Sequence, residues 1–358
     1  MPERMPDGPV LVVGAGLLGT SIALALRAHD VDVALRDLST ENLAIATGLG
    51  AANVQDADVE PRLVVVAVPP DHLAEEIARA LTETDAVVTD VGSVKGAPLA
   101  EVRRLVDAGQ LARYVGSHPM AGSERSGPFA ASGALFDGRP WAVTPHETAS
   151  PEAVEAVTAL ARTCGATPVT FTPAEHDQAV ARTSHLPHLL AALVAGRLTD
   201  APRAHLALSG QGVRDVTRIA AGDPGLWQQI VAANTEALSA LLEDVRRDVD
   251  SLLGALATGD RAEVVRLLDR GVEGTAVIPG KHGGPVLAEG VLFVAVPDQA
   301  GELARLFSDA GEIGVNIEDV RIDHDPGRPV GLVELSVAER EVDHLLGALS
   351  ERGWTAHR

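Results

Sequence analysis

The chain is short of several things. It has one cysteine, Cys164, among 358 residues, which excludes an intrachain disulfide and any cysteine-based metal cluster. That suits a reducing, cytoplasmic setting, and Cys164, after an Ala/Val helix, reads as a core residue. Aromatic residues make up 3%, so the cores have to be built from Ala, Val and Leu. Lysine occurs only at Lys95 and Lys281, leaving Schiff-base chemistry at most those two candidates. Positive charge is scarce too: 29 basic against 50 acidic residues give a net charge of −21. Nucleic acid is therefore disfavoured as a partner, because phosphate binding needs a basic surface. The first residues lack a basic segment followed by an apolar one, so no signal peptide is expected. One run, Val10–Leu26, is apolar enough to resemble a membrane span. Its three glycines and Thr20-Ser21 fit a strand, turn and helix better.

The first half alternates strand and helix patterns. Strands are expected at Val10–Val13, Val31–Leu35, Leu63–Val68, Ala86–Asp90 and Tyr114–Gly116. Helices are expected at Leu17–Ala28, Asp71–Leu81 and Leu99–Ala108. Such alternation implies right-handed crossovers and a parallel sheet. Trp141–Thr144 and Thr167–Phe171, flanking a helix at Pro151–Cys164, are expected to extend that sheet. From about Pro173 the pattern becomes helical: Val180–Arg197, Ala204–Ser209, one long helix over Trp227–Leu253, and Arg261–Arg270. The breaker-rich Pro279–Pro285 marks a linker. A βαββαβ order follows, the ferredoxin-like arrangement. The fold class is thus α/β with a Rossmann-type domain over 9–172, an all-helical domain over 173–278, a linker over 279–289 and a small α+β domain over 290–358.

The sharpest motif is Gly14-Ala-Gly16-Leu17-Leu18-Gly19, a strand running through G-x-G-x-x-G into a helix. Gly14 serves the tight turn, Gly16 the approach of a pyrophosphate, and Gly19 close helix–strand packing. Asp37 ends the second strand, where a carboxylate binds a ribose 2′-hydroxyl and repels a 2′-phosphate. NAD is therefore the expected cofactor, with Arg36 leaving NADP open. Val68-Pro69-Pro70 and Ser93 follow two further strand ends, beside the crevice where such sheets bind ligands. The prolines equally well end a strand. His118 follows the fifth expected strand, on a loop where it can accept a proton during hydride loss.

Taken with the glycine motif, four further segments resemble the prephenate dehydrogenase family. They are Asp90-Val-Gly-Ser-Val-Lys95, Gly116-Ser-His-Pro-Met-Ala-Gly-Ser-Glu124, Thr183-Ser-His-Leu-Pro-His188, and Gly212-Val-Arg-Asp-Val-Thr-Arg-Ile219 with Asp223-Pro and Trp227. The resemblance spans Val10 to Val272 in the family's order. It implies oxidative decarboxylation of prephenate by NAD+ in tyrosine biosynthesis. His118 would accept a hydrogen bond from the 4-hydroxyl, and Ser93 would orient the reacting groups. Arg218 would bind a substrate carboxylate through its bidentate fork. Asp177 would pair with Arg218, Ser123 and Glu124 would line the entrance, and His188 would line the pocket. Trp227 would reach a partner subunit of a homodimer. Arg214 stands where relatives often carry Lys. The tail resembles an ACT regulatory domain through Val296-Pro-Asp-Gln-Ala-Gly301 and Gly314-Val-Asn-Ile-Glu318. Asp298, Gly301 and Asn316 would then grip tyrosine or phenylalanine, or the module would serve only to dimerise.

Other readings stand beside these. Arg214 and Arg218, spaced i,i+4, also look like a solvated helix face. His185 and His188 lack companion ligands for a metal, as does the pair His176-Asp177, so no metal is expected. Arogenate, both cyclohexadienyl substrates, or an amino-substituted prephenate remain alternative substrates. A β-hydroxyacid dehydrogenase shares the layout but relies on a lysine in its helical domain, and none lies between Lys95 and Lys281. A non-enzymatic NAD or amino-acid sensor would be expected to have lost His118 or Arg218, and both are present.

Overall fold

A computed structural model describes residues 8–54, 60–122, 127–278, 289–324 and 330–358. The chain divides into two compact units, residues 1–253 and 254–358. In the first, β1 (Val10–Val13) leads through α1 (Leu17–Arg27) to β2 (Val33–Arg36), then through α2 (Thr40–Gly48) to β3 (Leu63–Val66). α3 (Leu73–Glu83) precedes β4 (Val87–Asp90), and α4 (Gly96–Leu105) and the single turn α5 (Ala108–Leu111) precede β5 (Gly116–Pro119). β6 (Pro140–Thr144), α6 (Pro151–Thr163) and β7 (Thr167–Thr170) complete the sheet-forming part.

The central sheet is parallel, in the order β2-β1-β3-β4. Its strands carry apolar residues at consecutive positions because both faces are covered. Val10, Val12, Leu63 and Val65 pack with Ile22 and Leu26 of α1 and Val157 and Leu160 of α6. Leu11, Val13, Val64 and Val66 pack on the other face with Leu73, Ile77 and Leu81 of α3 and with Val102. Val, Leu and Ala dominate both cores, as the scarcity of aromatics requires.

The expected extension of this sheet is not what forms. β5, β6 and β7 make a separate three-stranded sheet in which β5 runs antiparallel to β6. The two sheets meet at one parallel bridge, Val88 to Tyr114. Past Val115 the chain changes partner. β5 starts at Gly116, whose carbonyl accepts the Thr144 hydroxyl at 2.8 Å, and His118 pairs with Ala142. His118 therefore sits on a strand, not on the loop the sequence suggested.

The helical part starts with α7 (Pro173–Val180), opened by a capping box between Thr172 and Glu175 with Pro173 in the first turn. A π-turn over Ala181–His185 leads into α8 (Leu186–Gly196). Pro187 has no N–H for the carbonyl four residues back. The wider turn before it bonds Leu186 N–H to the Ala181 carbonyl. The short α9 (Arg203–Leu206) and α10 (Gln211–Arg218) follow, then α11 (Pro224–Ala233) and α12 (Thr235–Thr258). The single long helix expected over Trp227–Leu253 is broken at Asn234. Its side chain turns inward and donates to the Asp177 carbonyl at 2.8 Å.

The second unit holds α13 (Arg261–Ala276) and a βαββαβ module. The module runs β8 (Glu289–Pro297), α14 (Glu302–Ile313), β9 (Ile317–His324), β10 (Val330–Ala338), α15 (Val342–Glu351) and β11 (Thr355–His357). Its sheet is antiparallel in the order β11-β8-β10-β9. Leu292, Val294, Val333 and Leu335 form a core with Leu306 of α14 and Leu345 of α15. The expected linker over 279–289 lies outside the described residues except Glu289, which opens β8. Among the described residues no helix is long and apolar enough to cross a membrane.

One buried ionic cluster fastens the junction of the two sheets. Lys95, 1% exposed, is ion-paired to Asp90 at the end of β4 and donates to the Ser117 carbonyl at 2.6 Å. Tyr114 donates its hydroxyl to Asp90 at 2.8 Å. Gly116 is glycine because a Cβ there would stand 3.2 Å from the Lys95 stem and 2.9 Å from the Thr144 hydroxyl oxygen. Removing one member of a buried pair strands the other charge. Lys95→Met should therefore cost about 3–5 kcal/mol, read as a lower midpoint in urea unfolding. An unchanged midpoint would show that Asp90 does not need this partner.

Candidate active site

The glycine motif folds as its spacing requires. At Gly14 φ is +106°, and a Cβ would collide with the Ala67 carbonyl and stand 3.2 Å from the Val68 amide. β1 and the end of β3 can thus close on each other only through glycine. A Cβ on Gly19 would collide with the Gly14 carbonyl, which fixes how closely α1 approaches β1. Gly16 has nothing within 4 Å of that position. α1 starts there with no side-chain cap and no acidic residue in its first turn. Its leading N–H groups, including those at Leu17 and Leu18, are left as donors for an anion. Asp37 follows β2 and faces this loop, accepting from Ala15 N at 2.5 Å and Ser39 N at 2.6 Å. A carboxylate has further lone pairs for a ribose hydroxyl. Val68 and Pro69 follow β3 beside Gly14. The bare helix end, the open side at Gly16 and the anchored Asp37 together fit a dinucleotide with an unphosphorylated ribose.

Across the chain, His118 is buried and its Nδ1 lies 3.0 Å from His176 Nε2. His176 Nδ1 lies 2.9 Å from Asp177 Oδ1. The Asp177 carboxylate also accepts the N–H of Lys95 and of Gly96, both at 2.8 Å, at the start of α4. A Cβ on Gly96 would stand 2.9 Å from Asp177 Oδ2, so glycine there admits the carboxylate. Burial pushes the His118 pKa well below 6.5, and the neighbouring His176, Lys95 and His185 push the same way. His118 is thus a neutral base at physiological pH. His185, also buried, is lowered to about 4, chiefly by desolvation. Its Nδ1 lies 3.2 Å from the Asn234 amide nitrogen.

The remaining expected residues are placed as follows. Ser93 lies half-buried on the loop between β4 and α4, with no hydrogen bond to His118 among the described residues. Asp177 bonds to α4 and His176 rather than to Arg218. Arg214 and Arg218 are exposed on α10, with no ion pair among the described residues. His188 stacks flat on Trp227 of its own chain, ring centroids 3.5 Å apart and 9° from parallel. α8, which carries His188, packs against the turn over 219–221 that follows Arg218, so this pair backs the segment that carries the arginines. Ser123 and Glu124 lie outside the described residues. In the second unit Asp298, Gly301 and Asn316 are exposed. Gly301 and Asn316 flank opposite ends of α14, 12 residues or about 18 Å long. Among the described residues no group of three or more His, Cys, Asp or Glu is placed to hold a metal ion.

Sequence reasoning missed His176 as a partner of His118. The two are 58 positions apart and share no local pattern. Asn234 carried a faint signal, an amide inside an Ala/Leu-rich helical stretch.

The fold and site define an NAD-dependent dehydrogenase. The family model described as prephenate dehydrogenase, nucleotide-binding domain, matches residues 22–170, and that described as prephenate dehydrogenase, dimerization domain, matches residues 172–270. NovF of Streptomyces niveus, named a probable prephenate dehydrogenase, is 37% identical over 97% of this chain and 99% of its own. A cyclohexadienyl dehydrogenase of Zymomonas mobilis is 33% identical over 70% of this chain and 89% of its own. The structure of prephenate dehydrogenase from Aquifex aeolicus, solved with hydroxyphenyl propionate and NAD+, superposes with a TM-score of 0.69 at 26% identity. It covers 77% of this chain and 100% of its own. The chain belongs to the prephenate dehydrogenase family.

Two outcomes are expected here. Gly14→Ala should weaken NAD+ binding and cost at least about 1–2 kcal/mol of stability from the left-handed backbone alone, checked by cofactor titration and urea unfolding. The second concerns acid. His118 and His185 are held neutral in the folded state, whereas the unfolded chain takes up protons below about 6.5. The stabilisation is complete above that value and is lost as pH falls below it. Between pH 7 and 5.5 the loss should be about 1 kcal/mol for each histidine. Equal unfolding midpoints at the two pH values would contradict it.

Proposed function

We propose that the chain catalyses the NAD+-dependent oxidative decarboxylation of prephenate to 4-hydroxyphenylpyruvate. The observation that carries this reading is a buried, neutral His118 on β5, in a chain whose glycine loop and Asp37 suit NAD. Bound NAD+ supplies the hydride acceptor. His118 accepts a hydrogen bond from the ring 4-hydroxyl, so the oxygen gains electron density as the C4 hydrogen departs with its electron pair. Loss of the ring carboxylate as CO2 leaves its bonding pair to complete the aromatic ring. The hydroxyl proton returns to what is now a phenol, and no net proton is released. Ser93 orients these groups, and Ser123 and Glu124 remain candidate substrate contacts. Arg218, with Arg214, binds the two substrate carboxylates. Their exposure without an ion pair among the described residues leaves both charges for such a ligand.

We assign the Rossmann-type domain to 9–172, the helical domain to 173–278 and an ACT-like, ferredoxin-like domain to 290–358. Its strand order places the first strand between the third and the last, as that arrangement requires. An aromatic amino acid is the effector proposed for it, with Asp298, Gly301 and Asn316 as its candidate contacts. A homodimer is proposed through the helical domain, where Leu193, Val194, Leu226, Val249 and Leu253 are exposed. A cytoplasmic location is proposed with it.

Arogenate is the second reading. The Zymomonas mobilis relative, named for cyclohexadienyl substrates, and Arg214 in place of the family's usual Lys both favour testing it. Prephenate and arogenate assayed side by side, each with NAD+ and NADP+, decide the matter, and turnover of prephenate with NAD+ is expected. His118→Asn should lower kcat by about 10²–10⁴-fold with substrate binding largely kept. Near-normal turnover by that variant would remove His118 as the acceptor.

A further inference from the structure

We propose that His176 and Asp177 form a positioning relay that fixes the tautomer of His118, so that its Nε2 faces the substrate as a bare acceptor. The inference deepens the dehydrogenase reading and rests on it.

The argument runs from the far end. Asp177 accepts two backbone N–H groups at the start of α4. A carboxylate offers only acceptors, so the proton between it and His176 Nδ1 belongs to the ring. With that one proton on the ring, Nε2 is left as an acceptor, 3.0 Å from His118 Nδ1. His118 must carry its own proton on Nδ1, and its lone pair is left on Nε2. Which nitrogen of a histidine is protonated is set by the hydrogen bond made by the other. The chain of bonds thus decides which atom of His118 is basic. As the hydroxyl proton shifts toward His118 Nε2, the growing positive charge is shared through His176 with the Asp177 carboxylate.

Other groups face this cluster. The Lys95 ammonium lies beneath it, paired with Asp90 and so with the Tyr114 hydroxyl. His185 approaches from the π-turn, tied to Asn234. The Lys95 charge opposes protonation of His118. It lowers the basicity of the ring without choosing between its nitrogens. The choice belongs to His176 and Asp177.

The test uses the full-length protein with ¹⁵N-labelled histidine. NMR should show His118 protonated on Nδ1 and bare on Nε2 at neutral pH. His118 protonated on Nε2 would overturn the relay, and this reading needs no variant. In kinetics, His176→Leu should lower kcat by about 10²-fold, the lower end of what a positioned base contributes. KM for substrate and for NAD+ should change by less than about threefold, because the relay acts on the chemical step. His176→Gln, whose amide can donate to Asp177 and whose side-chain oxygen can still accept from His118 Nδ1, should recover at least about tenfold of that loss. Unchanged kcat in His176→Leu, or equal loss in the Leu and Gln variants, would overturn the proposal. Failure of the underlying reading looks different: His118→Asn would then keep its turnover while the Nδ1 tautomer was still observed.

Discussion

Asp177 holds together parts of the chain that have no local reason to meet. Its carboxylate accepts the N–H groups of Lys95 and Gly96 and the ring of His176, and its carbonyl accepts the Asn234 amide. A carboxylate against a helix N-terminus is favoured both by charge-assisted hydrogen bonds and by the helix dipole. The start of α4 is thereby tied to α7, and through His176 to His118 on β5. The junction of α11 and α12 is tied to α7 from the other side. Without this residue the first turn of α4 would have two unpaired donors, and His176 would have no fixed proton.

The same constraint explains where the sequence was readable. The parallel sheet, its crossovers and the glycine loop rest on local physics: runs of Val and Leu, turn chemistry, and spacing within a few residues. Gly14, Gly16, Gly19 and Asp37 are legible from spacing alone, since the loop they form closes within the first 37 residues. The departures all involve distant partners. β5 was expected at the parallel sheet because Tyr114 and Val115 are strand-like, and one bridge does form there. The change of partner at Gly116 depends on Thr144, 28 positions away. The break at Asn234 depends on Asp177, 57 positions away. Adjacent His176 and Asp177 raised the question of a metal, and Asp177 that of a pairing with Arg218, but not their tie to His118, which crosses the fold.

Charge in the site is distributed in a way that composition alone hides. A chain of net charge −21 has to attract a dianionic substrate and an anionic cofactor. Lys95 is no help, because its ammonium is buried and neutralised by Asp90. Burial of that ammonium serves the junction of the two sheets and depresses the basicity of His118. The uncapped start of α1 and the exposed Arg214 and Arg218, proposed above to meet the substrate, are left for that task. Arginine suits that task, since its charge does not titrate and its planar fork matches a carboxylate. The two kinds of cation are thus separated by setting: the lysine is sequestered against Asp90, and Arg214 and Arg218 stay exposed, where the proposed substrate carboxylates would meet them.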